Sequence, residues 1–135
     1  MLVCIAWAAM ASSVGAQPAG TGPPVLEVFV REDCPHCADA KAFLPAFNRD
    51  RSWLRIVYRS VDDDPSARDD LMRHSRSAGV WPPGVPTFVI DGRVLVGFED
   101  TAHTGRALAA LVAHRAHDLP AASAPVDASE SPAAS

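Results

Sequence analysis

The feature that most restricts the fold of this chain is a short apolar run, VLEVFV, at positions 25–30. The run is rich in β-branched residues, follows the two prolines at positions 23 and 24, and is followed by the charged triplet RED. A run of this length between such boundaries predicts a strand. Its almost continuous apolar character predicts that other elements cover both of its faces. We therefore expect this strand inside a central sheet.

The residues that follow alternate between helix and strand patterns. An alanine-rich stretch has helical spacing through Phe47, and Pro45 is predicted to kink that helix or end it nearby. Residues 54–61 have the pattern of a second strand. Asp64-Pro65 is typical of a helix start, because the carboxylate can accept the unpaired N–H groups of the first turn. Gly79 is predicted to end the second helix.

A hairpin and a final helix complete the pattern. Two apolar runs, at positions 87–90 and 93–96, are separated by Asp91-Gly92, which is a favoured two-residue turn. Asp100 or Thr101 is predicted to cap a last helix. The order β-α-β-α-β-β-α combines a parallel unit with an antiparallel hairpin. It predicts an α/β fold with a mixed four-stranded sheet and helices on both faces.

Composition allows one folded domain and excludes several classes of protein. The 135 residues are 48% hydrophobic and 21% charged, so a buried core can form. The formal net charge of −4 provides no basic surface for a nucleic-acid backbone, and we expect no nucleic-acid partner. The 3 cysteines are too few for a scaffold held together by disulfides.

The two ends of the chain differ in composition from the domain between them. Residues 1–16 carry no charged side chain and end in small residues, which predicts a signal peptide and export to a bacterial periplasm. No Lys or Arg precedes the apolar run, and a retained hydrophobic anchor is the alternative. Removal of the signal would discard Cys4 and leave an N-terminal lead at 17–24. Residues 25–119 would form the domain, and the Ala-, Ser- and Pro-rich residues 120–135 a disordered tail.

The motif Cys34-Pro35-His36-Cys37 places two thiols at the predicted start of a helix. The partial positive charge of a helix N-terminus favours a thiolate at Cys34, and the thiolate is the reactive species. Cys37, one turn further in, can then resolve a mixed disulfide. Pro35 lacks an N–H where none is needed, and a protonated His36 would add a positive charge that makes the disulfide a better oxidant.

Together these features resemble the thioredoxin/glutaredoxin-like fold, from position 25 to about 117. The motif Cys34-Pro35-His36-Cys37 is similar to the active site of periplasmic disulfide oxidoreductases. The resemblance implies that Pro86 is cis and lies against the cysteine pair, and that Val85 presents its backbone to an extended substrate. Two departures are visible: Asp33 stands where thioredoxins usually carry Trp, and there is no room for the long helical insertion of the large periplasmic oxidases.

The resemblance implies an exported thiol–disulfide oxidoreductase whose Cys34/Cys37 pair carries the two electrons, without a dissociable cofactor. The implied partners are proteins that contain disulfides or dithiols, and a separate thiol–disulfide electron partner that could lie in the membrane. The protein is expected to act as a monomer. The residues do not decide among oxidase, isomerase and reductase.

Two other functions remain open for the same cysteines. Two thiolates, with His36, could form a soft Cu(I) site in a metallochaperone module. Alternatively, the domain could be the redox sensor of a membrane assembly, joined through the tail at 120–135. A structural zinc site is not expected, because such sites normally take four ligands.

Four weaker candidates have competing interpretations. Glu27 interrupts the first strand and could be a buried carboxylate that shuttles a proton to Cys37, or it could lie near the exposed start of the strand. His114 and His117 could chelate a metal, but cations near a helix C-terminus are usual, and we predict no metal site. Trp81 could border the substrate groove or belong to the core. The acidic residues 62–64 need no calcium if they cap a helix.

Overall fold

The computed structural model describes residues 22–117. The predicted signal peptide at 1–16 and tail at 120–135 lie outside these residues, as do the first part of the lead and the last two residues of the predicted domain. Seven elements follow one another: β1 Val25–Val30, α1 Pro35–Asn48, β2 Arg55–Ser60, α2 Pro65–Ser77, β3 Thr87–Ile90, β4 Arg93–Val96 and α3 Thr104–His117.

The four strands form one mixed sheet in the order β2-β1-β3-β4. Strand β1 pairs parallel with β2, because α1 carries the chain back across the sheet between them. It pairs antiparallel with β3, and β3 pairs antiparallel with β4. The predicted order of elements and the mixed sheet are confirmed. Strand β1 lies in the interior of the sheet, as its apolar sequence indicates.

Helices cover both faces of the sheet, and the alternation of side chains along β1 sorts the core into two clusters. Leu26, Val28 and Val30 face the cluster that α1 and α3 complete. Phe29 faces the smaller cluster, to which α2 contributes Ala67 and Leu71. All three helices are therefore held by their apolar residues against a sheet that is buried at its centre.

Turn and cap residues act as the sequence predicts in two places. Asp64 caps α2 by accepting the backbone N–H of Ser66 at 2.8 Å, and Pro65 is the first helical residue. Asp91 and Gly92 join β3 to β4 with φ of 49° and 76°. A two-residue turn of this kind needs left-handed backbone at both positions, which Asp and Gly adopt more readily than most residues.

The first helix ends at Asn48, one residue after the predicted end and three residues after Pro45, so Pro45 lies in its last turn. Proline removes one N–H and so leaves the carbonyl of Lys41 without its helical partner. Both Pro45 and Lys41 are exposed, so water can hydrogen-bond that carbonyl. Phe47 is buried on the opposite side and ties the last turn to the core.

The final helix begins later than predicted. Asp100 does accept the N–H of His103, at 2.6 Å, but residues 101–103 form a turn and α3 starts at Thr104. The hydroxyl of Thr104 accepts the N–H of Glu99 at 3.0 Å, so the turn is closed by a side chain as well. Among the residues described, no helix combines the length and apolar character that a bilayer crossing needs.

Candidate active site

The two cysteines of the motif form a disulfide at the N-terminus of α1, with 5.2 Å between their Cα atoms. Strand β1 ends at Val30, and a three-residue connection brings Cys34 to the N-cap position of the helix, followed by Pro35 at the first turn. The site is therefore held at the carboxyl end of an interior strand. This rigid placement follows from the apolar run that forms β1.

The two sulfurs differ in accessibility. Cys37 is only 1% exposed and packs in the larger core cluster, whereas Cys34 is partly exposed. Pro35 and His36 lie between them on the exposed side of the first turn. A reagent from solution therefore reaches Cys34 first.

Cys34 is the N-cap residue of α1, and its sulfur occupies the place of the side-chain oxygen that usually caps a helix. Its Sγ accepts the backbone N–H of Cys37 at 3.1 Å, and its carbonyl accepts the N–H of Ala38 at 3.1 Å. No acidic residue lies in the first turn of α1 to offset the positive end of the helix. When the disulfide is reduced, this N–H and the helix dipole favour a negative charge on Cys34 Sγ.

The loop before β3 lies against the disulfide. The carbonyl oxygen of Val85 is 4.0 Å from Cys34 Sγ, and the Val85–Pro86 peptide bond is cis, as is Trp81–Pro82. Pro86 is fully buried. The pairing of Phe29 with Thr87 brings the end of this loop beside the end of β1.

Thr87 positions this loop, although no sequence motif marks it. Its side chain is fully buried, and its hydroxyl donates a hydrogen bond to the carbonyl oxygen of Gly84 at 2.6 Å. The carbonyl of Pro86 accepts the N–H of Gly97 at 2.7 Å. The sequence does carry one sign of this role, because Thr87 is a polar residue at the start of the otherwise apolar run 87–90.

Val85 also lines a groove of about 390 Å³. Val61, Leu71 and Met72 make its lining mainly apolar, and Arg31 and Arg68 add positive charge. These residues come from three separate parts of the chain, so no sequence motif marks the groove. Trp81 lies outside the core, with 59% of its surface exposed.

Glu27 is not near Cys37, and the proton-shuttle prediction is corrected by its position. Side chains alternate along β1, so Glu27 shares the α2 side of the sheet with Phe29, while Cys37 packs on the opposite side. The Glu27 carboxylate accepts a hydrogen bond from Arg59 at 2.7 Å. It is thus half-buried in an ion pair on the α2 side of the sheet.

Arg59 joins three carboxylates on the α2 side of the sheet: Glu27, Asp64 at 3.4 Å and Asp70 at 3.1 Å. Partial burial opposes the charge of Arg59, but hydrogen bonds with Glu27 and Asp70 outweigh it and raise its pKa. A hydrogen bond from Ser66 is the main cause of the lowered pKa of Asp64. Desolvation opposes the charge of Asp70, but hydrogen bonds from Arg73 and Arg59 outweigh it and lower its pKa.

Replacing Arg59 by methionine should lower the free energy of unfolding at pH 7 by about 1–2 kcal/mol, because charged hydrogen bonds are lost around a half-buried carboxylate. Asp64 and Asp70 have folded-state pKa values below 3.8, so they stabilise the fold above that pH and less as the pH falls below it. The variant should therefore show a shallower loss of stability in acid. Urea unfolding between pH 7 and pH 2 measures both effects.

Arg55→Met is the matched control for this substitution, because Arg55 lies on the same strand but is exposed. It should leave the acid dependence unchanged. If the free energy of unfolding fell equally gently in acid for both variants, the Arg59 ion pairs would not be the cause of the acid dependence.

The other candidates are not assembled into a metal site. Within residues 22–117, no group of three or more His, Cys, Asp or Glu side chains is arranged to hold a metal ion. His114 and His117 lie in the last turn of α3. Asp62 pairs with Arg31 at 3.2 Å, and Asp64 is the cap of α2.

One family model matches the part of the chain that carries the site. A family model described as Glutaredoxin matches residues 26–95, just over half of the 135-residue chain. A similar solved structure is that of a mutant of the thioredoxin-like protein BC3987, with 31% identity, a TM-score of 0.48, and coverage of 62% of this chain and 94% of that one. No curated protein matches significantly.

The matched residues include β1 from its second residue, the cysteine pair, and the loop with Val85 and Pro86. The fold is thioredoxin-like, and it carries a cysteine pair suited to thiol–disulfide redox chemistry. Since the family model spans more than half of its residues, the chain belongs to the glutaredoxin family.

Proposed function

We propose that this protein catalyses thiol–disulfide exchange on protein disulfides, with Cys34 as the attacking sulfur and Cys37 as the resolving one. The observation that carries the proposal is the arrangement of the pair: an accessible sulfur caps a helix, and its partner is buried one turn away. The family-level match supports the reaction class. The order of attack rests on the geometry.

The exchange proceeds in two displacements. The Cys34 thiolate attacks one sulfur of a substrate disulfide, a bond forms between the two sulfurs, and the other substrate sulfur leaves as a thiolate. Cys37 then loses its proton and attacks Cys34 Sγ, which closes the Cys34–Cys37 disulfide and releases the second substrate thiolate. The substrate gains two electrons, and the protein loses two. The reverse sequence oxidises a substrate dithiol.

Val85 would orient the substrate during both displacements. Its carbonyl oxygen lies 4.0 Å from Cys34 Sγ, so a substrate chain that pairs with the backbone of Val85 would bring its sulfur to the same point. Pro86 and Thr87 hold this part of the loop through buried contacts. We propose Val85 and Pro86 as the substrate-binding residues.

The cellular context of the proposal comes from residues outside the described structure. We propose that residues 1–16 direct export to the bacterial periplasm and that the protein works there as a monomer. The cysteine pair would serve as the only redox group, with a separate thiol–disulfide protein as its electron partner. His36, exposed beside the pair, would favour the thiolate when protonated and make the disulfide more oxidising.

Two measurements on the purified protein test the proposal. Reduced Cys34 should react with iodoacetamide faster than free cysteine at pH 6, because the helix N-terminus keeps it ionised. A redox titration should show one two-electron couple. A midpoint near about −120 mV would identify an oxidant, and one near about −270 mV a reductant. Alkylation no faster than that of free cysteine at every pH would contradict the mechanism.

A copper titration separates exchange from metal transport. Reduced protein would be titrated anaerobically with Cu(I) in the presence of a bicinchoninate-type competitor. If the cysteines serve thiol–disulfide exchange, Cu(I) should remain bound to the competitor. A tight site of one Cu(I) per protein, without turnover of any disulfide, would instead favour a metallochaperone.

A further inference from the structure

One face of α2 carries a row of three side chains beside the groove: Arg68, Met72 and Arg76. They are four residues apart, so they lie above one another along the helix. Met72 lines the groove, and Arg68 lines it one turn earlier. Arg76 lies one turn further along the same face. The row thus places an apolar side chain between two cations.

Both arginines are held in place without an acidic partner. Arg68 donates hydrogen bonds to the carbonyl oxygens of Val61 at 2.8 Å and Asp62 at 3.1 Å. The Arg76 guanidinium stacks over the ring of Trp81, 5.0 Å from its centroid. In the part of the chain that the structure describes, neither arginine forms an ion pair. Their charge is therefore available to a ligand.

The two arginines of the row are the charges with which a ligand beside the groove can pair. Arg68 and Arg76 are both exposed, whereas Arg31, which also lines the groove, already forms an ion pair. Asp69 lies next to the row on α2, so the preference for an acidic ligand rests on these two guanidinium groups and not on the summed charge of the face. An acidic side chain placed against either group gains an ion pair, and a basic side chain is repelled.

The groove is joined to the reactive sulfur through one residue. Val85 lines the groove, and its carbonyl oxygen lies 4.0 Å from Cys34 Sγ. Leu71 and Met72 also line the groove, and its volume of about 390 Å³ is large enough for a leucine side chain. A side chain two residues from a substrate cysteine, on the same side of an extended strand, would reach it.

We propose that this groove and the Arg68–Met72–Arg76 row bind an extended acidic polypeptide segment that carries a bulky apolar residue near its reactive cysteine. The proposal rests on the exchange function proposed above and names its substrate class. The apolar side chain enters the groove against Met72, and acidic side chains beside it contact Arg68 and Arg76. These contacts select the substrate, while Cys34 performs the exchange.

The test uses three acetylated, amidated heptapeptides whose cysteine is joined by a disulfide to 5-thio-2-nitrobenzoate. The first has the sequence Glu-Leu-Ser-Cys-Ser-Leu-Glu, which is symmetric so that the direction of binding does not matter. The second replaces both glutamates by lysine, and the third replaces both leucines by alanine. The Cys34 thiolate attacks the peptide sulfur, and thionitrobenzoate, the better leaving group, departs with the electron pair of the broken bond.

The second-order rate constant for thionitrobenzoate release is measured with reduced wild-type protein. We expect the acidic leucine peptide to react about fivefold to tenfold faster than the lysine peptide, and about fivefold faster than the alanine peptide. The preference for glutamate should shrink in 0.5 M NaCl, because salt screens exposed charges, while the preference for leucine should persist.

Three variants assign the preferences to residues. Arg68→Gln combined with Arg76→Gln should bring the ratio of glutamate to lysine rates to within about twofold of one. Met72→Gln should reduce the ratio of leucine to alanine rates and leave the charge preference in place. Arg106→Gln, an exposed arginine of α3, is the matched control and should leave both ratios unchanged. Each ratio compares two peptides with the same variant. A smaller folded fraction lowers both rate constants equally and leaves their ratio unchanged.

Two outcomes separate this inference from the proposed function. Equal rate constants for the three peptides with wild-type protein would overturn the substrate class and leave the exchange chemistry standing. Release of thionitrobenzoate no faster than with Cys34→Ser would overturn both. Wild-type preferences that persist in the arginine and Met72 variants would also overturn the assignment to this face.

Discussion

Replacing Cys34 by serine should abolish exchange, with a loss of at least about a thousandfold in the rate of disulfide reduction. A serine hydroxyl is not ionised at neutral pH and cannot replace a thiolate as the attacking group. The measurement is the reduction of a small uncharged disulfide, 2-hydroxyethyl disulfide, with a thiol that regenerates the protein. Serine is a favourable N-cap residue, so Cys34→Ser should still cap α1 and retain the fold. Far-UV circular dichroism checks this.

Cys37→Ser provides the complementary result. Cys34 remains able to attack, but Cys37 is no longer there to resolve the mixed disulfide with the substrate. With substrate disulfide and no added thiol, a stable adduct of substrate mass on Cys34 should appear by mass spectrometry. Since Cys37 is 1% exposed, Cys37→Ala serves as a second variant that places no hydroxyl in the core. Retained turnover in Cys34→Ser, or a substrate adduct on Cys37 in that variant, would contradict the assigned roles.

Phe88→Ala should destabilise the fold by about 3–5 kcal/mol. Phe88 is fully buried on β3, paired with Val28 on one side and Leu95 on the other, and its ring belongs to the core cluster that contains Cys37. Truncation removes apolar contacts and leaves a cavity that the surrounding strands cannot close. A loss of this size is a large part of the stability of a small domain. Urea unfolding at neutral pH measures it.

Tyr58→Ala is the control for Phe88→Ala, because it also removes an aromatic ring from a strand. Tyr58 lies on β2 at the edge of the sheet and is 43% exposed, so its loss should cost about 1 kcal/mol or less. If both substitutions lowered the free energy of unfolding by similar amounts, the burial of Phe88 on β3 would not be a main source of stability. The loop that carries Pro86 leads directly into β3, so a loosened β3 should also slow exchange.

Most of the architecture was predictable because it depends on local chemistry. The apolar run at 25–30, the Asp64 cap and the Asp91-Gly92 turn each predicted an element that the structure contains. The way in which α1 accommodates Pro45 was not predictable. The sequence shows that a hydrogen bond is lost, but it does not show that Phe47 is buried and holds the last turn of α1 against the core.

The candidate site also contains features that the sequence predicted and features that it did not. The spacing of Cys34 and Cys37 predicted a pair at a helix start, and the structure contains that pair as a disulfide. The position of Glu27 could not be judged, because an acidic residue in an apolar strand has the same sequence signature on either side of the sheet. Its ion pair with Arg59 comes from the parallel neighbour, more than thirty residues later in the chain.

The amino-acid sequence by itself determined the order of helices and strands and the presence of two cysteines one turn apart at a helix start. These features depend on residues that are close together in the chain, through hydrogen bonds and backbone preferences that act over a few positions. Only the tertiary structure decided that Val85 lies beside Cys34, that Glu27 faces away from it, and that α2 brings Arg68 and Met72 to the adjoining groove. Those contacts depend on strand pairing and on which side of the sheet each helix packs, and packing is a property of the whole chain.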